Sequence, residues 1–142
     1  MRGRLAALGL AVVLAGCSTA GPGGSGQASA PLAGTSWLAQ DIDGRGVLAG
    51  VQSTLLFDAV QRISGRAACN QYFGTVERGE GGSLRLKPAG TTRMACPEPV
   101  MEQEQRYLEA LGAVTAYRSE SATLSLLDAG GRVRVRLVPL PR

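Results

Sequence analysis

Three cysteines carry the most reactive side chains of this chain: Cys17, Cys69 and Cys96. A thiolate can serve as a nucleophile or a metal ligand, and two thiols can form a disulfide. The chain contains no histidine, so the commonest general base and metal ligand is missing. The spacing of Cys69 and Cys96 is also unlike the Cys-x-x-Cys pattern of redox and zinc sites. We therefore expect no metal, no cofactor and no catalytic cysteine.

Carboxylates are the remaining candidates for acid–base chemistry. Asp41 lies two residues before Asp43, and Glu98 lies four residues before Glu102. Two carboxylates on either side of a substrate could hydrolyse a glycoside. Here the first pair falls in a turn sequence and the second on the polar side of a predicted helix, which indicates solvated surface. We expect no enzymatic activity.

The N-terminus predicts export and anchoring. Arg2 and Arg4 precede an apolar run from residue 5 to 13, which is too short to span a bilayer as a helix. The small residues and cysteine of Leu14-Ala15-Gly16-Cys17 follow, and this order resembles the lipobox of bacterial lipoproteins. The resemblance implies a signal peptide over residues 1–16, cleavage before Cys17, and lipidation of Cys17. Several acyl chains would hold the protein firmly in a membrane.

Ser18, which follows that cysteine, resembles the sorting pattern of outer-membrane lipoproteins in Gram-negative bacteria. The expected location is therefore the cell envelope, anchored in the outer membrane and facing the periplasm. The alternative is an ordinary secretory signal with a chance cysteine. Loss of Arg2 and Arg4 would leave 13 basic and 11 acidic residues, a net charge of +2. That small excess, together with export, argues against a nucleic-acid partner.

Residues 17–31 form the lipidated cysteine and a Gly-, Ser- and Ala-rich stretch without charge or apolar periodicity. Such a composition predicts a flexible tether. Residues 32–142 are the right length for one domain. In an oxidising compartment, with Cys17 occupied by lipid, Cys69 and Cys96 remain as an even pair. We expect a structural disulfide between them, in preference to two free thiols.

Strand patterns dominate the domain. The apolar and β-branched runs are short and separated by turn residues such as Asp43-Gly44, and the final run, residues 132–137, alternates strictly between polar and apolar. About eight strands are predicted: residues 35–42, 51–58, 62–66, 71–77, 83–87, 114–119, 123–127 and 132–137. We expect Pro88 to end the fifth strand. An Asp-Ala turn followed by arginine occurs twice, at residues 58–62 and 128–132, which hairpin chemistry explains. The pattern favours an antiparallel sheet curled into a barrel or sandwich.

One segment, residues 98–111, has helical spacing with a single apolar stripe, and it lies between the fifth and sixth predicted strands. Pro97 and Glu98 suit its first turn and Gly112 suits its end. Glu104 is the one polar residue close to the apolar stripe. The expected role of this helix is to close one end of the sheet.

Several motifs in this order resemble the META/HslJ domain of small bacterial envelope lipoproteins. They are Gly34-Thr35-Ser36-Trp37-Leu38, Ser64-Gly65-x-x-x-Cys69-Asn70-x-Tyr72-Phe73-Gly74, Thr92-Arg93-Met94-Ala95-Cys96, Met101-x-x-Glu104 and the closing strands. The resemblance covers residues 32–138. It implies an α+β fold in which a curled, lipocalin-like, mostly antiparallel sheet forms a partial barrel with one α-helix. It also implies a loose association with heat stress and novobiocin resistance, without an established enzymatic activity.

Two functions from different classes remain. In the first, the anchored domain binds an unknown envelope protein through exposed loops, with a role in envelope stress or antibiotic tolerance. The candidate surface lies beside the cysteine pair: Asn70, Gln71, Thr91, Thr92 and Arg93. In the second, the partial barrel encloses an apolar ligand, or acts as a pilotin-like chaperone by analogy of fold. A filled interior would favour the first function and an open apolar cavity the second. Structural roles for Asn70 and Arg93, in a turn or against backbone carbonyls, are the competing interpretation.

Overall fold

A computed structural model describes residues 31–141. The predicted signal peptide, Cys17 and all of the tether except Pro31 lie outside the described residues. Nine strands and one α-helix follow in chain order. They are β1 (Ser36–Ile42), β2 (Arg45–Gly46), β3 (Thr54–Phe57), β4 (Arg62–Arg66), β5 (Gln71–Arg78), β6 (Leu84–Thr91), α1 (Glu98–Gly112), β7 (Ala116–Glu120), β8 (Thr123–Leu127) and β9 (Val133–Pro139). Within this range, no helix combines the length and the apolar character needed to cross a bilayer.

The strands form one antiparallel sheet in the order β6-β5-β4-β3-β1-β9-β8-β7, and β2 pairs with β1. The two outermost strands approach each other where Ser83 forms a bridge with Ala116 and the Leu84 amide donates to the Thr115 carbonyl at 3.0 Å. The sheet is thus a partial barrel that meets along one seam. The predicted α+β fold with a curled antiparallel sheet is confirmed. The helix lies in the predicted place. It falls between β6 and β7, and not between the fifth and sixth strands, because the unpredicted two-residue β2 adds one strand to the count.

Turn chemistry determines several of the strand connections. Asp43 and Gly44 have φ of 54° and 76°, the left-handed pair that a two-residue hairpin turn requires. The two Asp-Ala turns are closely alike. The first aspartate, Asp58, accepts from the amides of Val60 and Arg62 at 2.9 and 2.8 Å, and the Arg62 guanidinium donates to it at 2.8 Å. Asp128 accepts the equivalent bonds in the β8–β9 turn.

The expectation that Pro88 ends a strand is wrong, since β6 continues to Thr91. Proline has no amide hydrogen to donate to a neighbouring strand. Because β6 is an edge strand of the sheet, the amides on its outer side need no strand partner, and a proline is tolerated there. Pro88 also lies beside a register shift: Phe73 faces Gly90, whereas Gly74 faces Pro88. The bulge places the extra residue, Ala89, on the edge strand.

Side chains fill the interior of the partial barrel. The core contains Leu55, Phe57, Ile63, Tyr72, Leu84, Leu124, Val135 and Leu137 from the sheet, and Tyr107, Ala110 and Leu111 from α1. Each of these is at most 3 % exposed. The helix packs against β6, β9 and β1, so it closes the barrel with its buried face. Trp37 packs only partly against this core, and its indole donates to the Thr35 hydroxyl at 2.7 Å.

Candidate functional site

A disulfide between Cys69 and Cys96 joins the bend between β4 and β5 to the segment that precedes α1. The two Cα atoms lie 6.0 Å apart, across 27 positions of the chain. We call the two joined segments, residues 67–71 and 91–97, the stapled corner. Backbone bonds support it on either side: the Ala67 amide donates to the Asn70 carbonyl at 2.7 Å, and the Thr92 amide donates to the Gln71 carbonyl at 3.0 Å.

Asn70 is the polar centre of the stapled corner. Its side-chain oxygen accepts from the Met94 amide at 2.6 Å and from the Thr92 hydroxyl at 2.9 Å. Its amide nitrogen donates to the Met94 carbonyl at 3.2 Å and to Glu104 at 2.7 Å. The Asn70 side chain thus holds residues 91–97 through the amide and the carbonyl of Met94.

Asn70 is also only 3 % exposed. The expectation that it forms part of a contact surface therefore fails, because its polar atoms are used within the domain. The competing interpretation, a structural role for Asn70 in a turn, is right about the role and wrong about the turn, since the side chain bonds across to residues 92–94.

Glu104 explains the polar residue beside the apolar stripe of α1. Its Oε2 accepts from the backbone amides of Cys69 and Asn70 at 3.0 and 2.6 Å, and its Oε1 accepts from the Asn70 side chain. The carboxylate is 6 % exposed. Bonds from backbone amides to a carboxylate are charge-assisted and stronger than bonds between neutral groups. The helix therefore fixes the bend that carries one half of the disulfide.

Two further residues of α1 tie other parts of the barrel to the helix. Gln103 accepts from the Leu48 amide at 2.7 Å and donates to the Ser53 hydroxyl at 3.1 Å. Tyr107 donates to the Thr54 carbonyl at 3.0 Å, and the Tyr72 hydroxyl donates to the same carbonyl at 2.8 Å. Sequence reasoning assigned no role to Gln103. The helical pattern placed Gln103 outside the apolar stripe, so nothing in the sequence indicated its burial.

The two tyrosine rings contact edge to face, with centroids 6.0 Å apart. Burial, followed by the neighbouring Tyr107, raises the pKa of Tyr72 well above its usual value of 10.0. Burial also raises the pKa of Tyr107, against a smaller lowering by the hydrogen bond with Tyr72. Both phenols thus stay neutral at physiological pH and act as hydrogen-bonding core residues.

The exposed part of the stapled corner is formed by the other predicted residues. Gln71, Thr91, Thr92 and Arg93 are all exposed, and so is Met94, whose side chain is 59 % exposed. Among the described residues, Arg93 has no acidic partner within ion-pair distance. The structure therefore brings together four of the five predicted surface residues and adds Met94, which the sequence analysis had treated only as part of a motif.

Of the carboxylates considered for catalysis, the pair on the β1–β2 hairpin holds local structure. Asp41 accepts from the Gly44 amide at 2.9 Å, within the β1–β2 hairpin. Asp43 forms an ion pair with Arg134 on β9. Glu98 and Glu102 line an open groove along α1 together with the half-buried Met101 and Leu108. Among residues 31–141, no three acidic or cysteine side chains are grouped as a metal site would need.

This region is therefore suited to binding and presents an exposed segment with a fixed backbone. A disulfide, a buried amide and a buried carboxylate fix the backbone of an exposed segment. Because the segment is ordered in advance, a partner that binds it loses less conformational entropy.

Comparisons with known proteins agree with this fold. A family model described as the META domain matches residues 30–139. A protein from Burkholderia xenovorans, known from an NMR structure, is 28 % identical; the match covers 78 % of this chain and 85 % of that one, with a TM-score of 0.63. No curated protein gives a significant match.

Two more distant structures share the fold alone. A second NMR structure is 21 % identical, with a TM-score of 0.60 over 76 % of this chain and 91 % of that one. The crystal structure of a DUF4847 family protein from Bacteroides vulgatus is 15 % identical, with a TM-score of 0.50 over 63 % of this chain and 60 % of that one. The family model spans the whole described sheet, the stapled corner and α1, and this chain belongs to the META domain family.

Proposed function

We propose that this chain is a lipid-anchored envelope protein, held by Cys17 in the outer membrane and facing the periplasm. Its domain acts without catalysis, by binding another envelope protein through the exposed side of the stapled corner. The observation that carries the proposal is the bracing of Met94: both of its backbone groups bond to the buried Asn70, while its side chain is 59 % exposed. An apolar side chain on a fixed backbone, beside the unpaired Arg93, is a suitable contact for a protein partner.

The anchor is supported by the order of charge, apolar run, small residues and cysteine in residues 2–17. The disulfide supports the same compartment, because structural disulfides persist outside the reducing cytoplasm. The family resemblance supports a role in envelope stress or antibiotic tolerance.

The alternative function, an apolar-ligand or pilotin-like barrel, would need space inside the sheet. Tyr107 and Leu111 of α1 occupy that space, and each is 0 % exposed. A ligand would have to displace the helix, together with the bonds of Gln103 and Glu104 to the barrel. We therefore favour the surface interaction.

The test is photo-crosslinking of the full-length protein in its own envelope. A photoreactive residue at position 94 should capture one envelope protein, and one at position 118, on the exposed side of β7, should not. Equal capture at both positions, or none at position 94, would reject the interaction surface. Intact-mass analysis of the membrane-extracted protein tests the anchor separately, since an unmodified Cys17 would refute lipidation without affecting the crosslink.

A further inference from the structure

The outward side of β4, β5 and β6, which we call the Phe73 face, presents an aromatic ring surrounded by cations. Along β5 the residues alternate: Tyr72, Gly74 and Val76 are buried, whereas Phe73 and Thr75 are exposed. Phe73 is 63 % exposed, and together with Val60 at 65 % it is one of the two most exposed large apolar side chains of the described residues. Val60 lies in the turn that leads into β4.

Strand register explains why the Phe73 ring stands free. Its cross-strand neighbours are Ser64 on β4 and Gly90 on β6, which are both small. The ring lies directly over Gly90, where any side chain would collide with it. One side of the ring is thus covered by backbone, while the rest faces solvent.

The flanking rows of the same face carry positive charge. In one row Arg66 is opposite Gln71, and in the other Arg62 and Lys87 lie on either side of Thr75. Asp58 pairs with Arg62, and Glu77 pairs with Lys87. Arg66 has no such partner among the described residues. Arg85 lies opposite Glu77. The Phe73 face and its adjoining turn therefore carry four basic side chains and two acidic ones.

The chain enters the domain at the edge of this face. The Gly34 amide donates to the Phe57 carbonyl at 2.8 Å, and the Phe57 amide donates to the Thr35 carbonyl at 2.9 Å. Residues 31–35 therefore lie beside the end of β3, immediately before the turn that contains Asp58 and Val60. If Cys17 is lipidated, as proposed above, the tether leads to the membrane from this edge.

We propose that the Phe73 face docks on the surface of a membrane that contains anionic phospholipids. The Phe73 ring and the Val60 side chain enter the headgroup region, and Arg66 and its neighbours contact lipid phosphates. An exposed aromatic side chain among cations is the chemistry that binds such a surface, and each basic residue near it adds affinity. The stapled corner borders this face at Gln71, at the end of β4 and β5 that lies away from residues 34 and 35.

The experiment uses the chain from residue 17 onward with Cys17→Ser, so that no acyl chain contributes. Sedimentation with vesicles of phosphatidylcholine alone and of phosphatidylcholine with phosphatidylglycerol measures binding. We expect binding to the anionic vesicles that weakens as salt is raised. Arg66→Gln should weaken it about fivefold, and Phe73→Ala should weaken it about tenfold. Phe73→Trp, which keeps an aromatic ring, should bind at least as well as the unaltered chain.

Arg118→Gln is the matched control, because it removes from β7, outside the face, one exposed arginine that has no acidic partner within residues 31–141. It should leave binding unchanged. Equal binding to both kinds of vesicle, or equal loss in Arg118→Gln and Arg66→Gln, would overturn the proposal. The proposal would also be overturned if a photoreactive residue at position 73 labelled only protein, and no lipid, in native membranes. Thermal melting checks that each variant is folded, and the vesicle result does not depend on whether Cys17 is lipidated in the cell.

Discussion

Replacement of Glu104 tests whether the helix holds the stapled corner. The carboxylate accepts three hydrogen bonds, two from the backbone amides of Cys69 and Asn70 and one from the Asn70 side chain. Glu104→Ala removes all three acceptors and leaves buried donors without partners. Each hydrogen bond to a charged group contributes roughly 1.5–3 kcal/mol, and losses in one network are not additive. We expect the free energy of unfolding to fall by about 3–5 kcal/mol.

Glu104→Gln gives a sharper comparison, because it changes one atom. If the amide oxygen takes the place of Oε2, it still accepts from the two backbone amides. The new NH₂ group then meets the NH₂ group of Asn70, so two donors face each other. The expected loss is about 1–3 kcal/mol. Asn70→Asp in the same chain supplies an acceptor at that contact but removes the donor to the Met94 carbonyl, so the double variant should lose less stability than the sum of the two single variants.

Urea unfolding under oxidising conditions measures these changes, with the disulfide intact in every variant. Glu109→Gln, on the exposed side of the same helix, is the control and should change stability by less than about 0.5 kcal/mol. If Glu104→Ala unfolds at the same urea concentration as Glu109→Gln, the carboxylate does not support the corner. If Asn70→Asp adds its own loss to that of Glu104→Gln without any recovery, the proposed donor–donor contact is wrong.

Three further predictions concern the rest of the domain. Cys69→Ala should lower the free energy of unfolding by roughly 3–4 kcal/mol, the chain-entropy value for a loop of 27 residues; equal midpoints for oxidised and reduced protein would contradict this. Because burial raises the pKa of the Tyr72 and Tyr107 phenols in the folded state, the folded state holds those protons more tightly. The contribution of these two phenols to stability should therefore be constant below pH 10 and be lost progressively above it. Absorbance titration should show two of the three tyrosines ionising only when the protein unfolds, and ionisation of all three before unfolding would refute the assignment. Gly65→Ala and Gly74→Ala should each lower the free energy of unfolding by roughly 3 kcal/mol, because the added Cβ would collide with the carbonyl of Thr54 or Lys87. Gly46→Ala, with nothing near its Cβ, is the control. Equal free energies of unfolding for all three variants would show that the close approach has no energetic effect.

The elements that local chemistry determines could be predicted from the sequence. The strict alternation of the last strand, the Asp43-Gly44 turn and the helical spacing of residues 98–111 each depend on neighbours along the chain, and all three are present in the structure. The error at Pro88 has a different origin. Whether a proline ends a strand depends on whether its missing amide faced a partner, and that is decided by the position of the strand in the sheet.

The candidate surface was predicted only in part, because the burial of a side chain also depends on where distant segments of the chain lie. Gln71, Thr92 and Arg93 are exposed, as expected of polar residues in loops, whereas Asn70 is buried. Polarity alone could not separate them, because the burial of an amide side chain depends on partners far along the chain. Asn70 meets Met94 across 24 positions and Glu104 across 34.

The motifs that carry the family resemblance form one physical unit around this contact. Gly65 lets β4 approach Thr54 closely, the bend that follows turns the amides of Cys69 and Asn70 inward, and Glu104 accepts from both. Asn70 then holds Met94, and the disulfide closes the same loop at Cys96. Removing the side chain of Glu104 or of Asn70 leaves buried polar atoms of another residue without a partner, which is more costly than the loss of the bond itself. The parts of the unit are therefore expected to change together, while the exposed side chains of Arg93 and Met94 can vary with the partner that they contact.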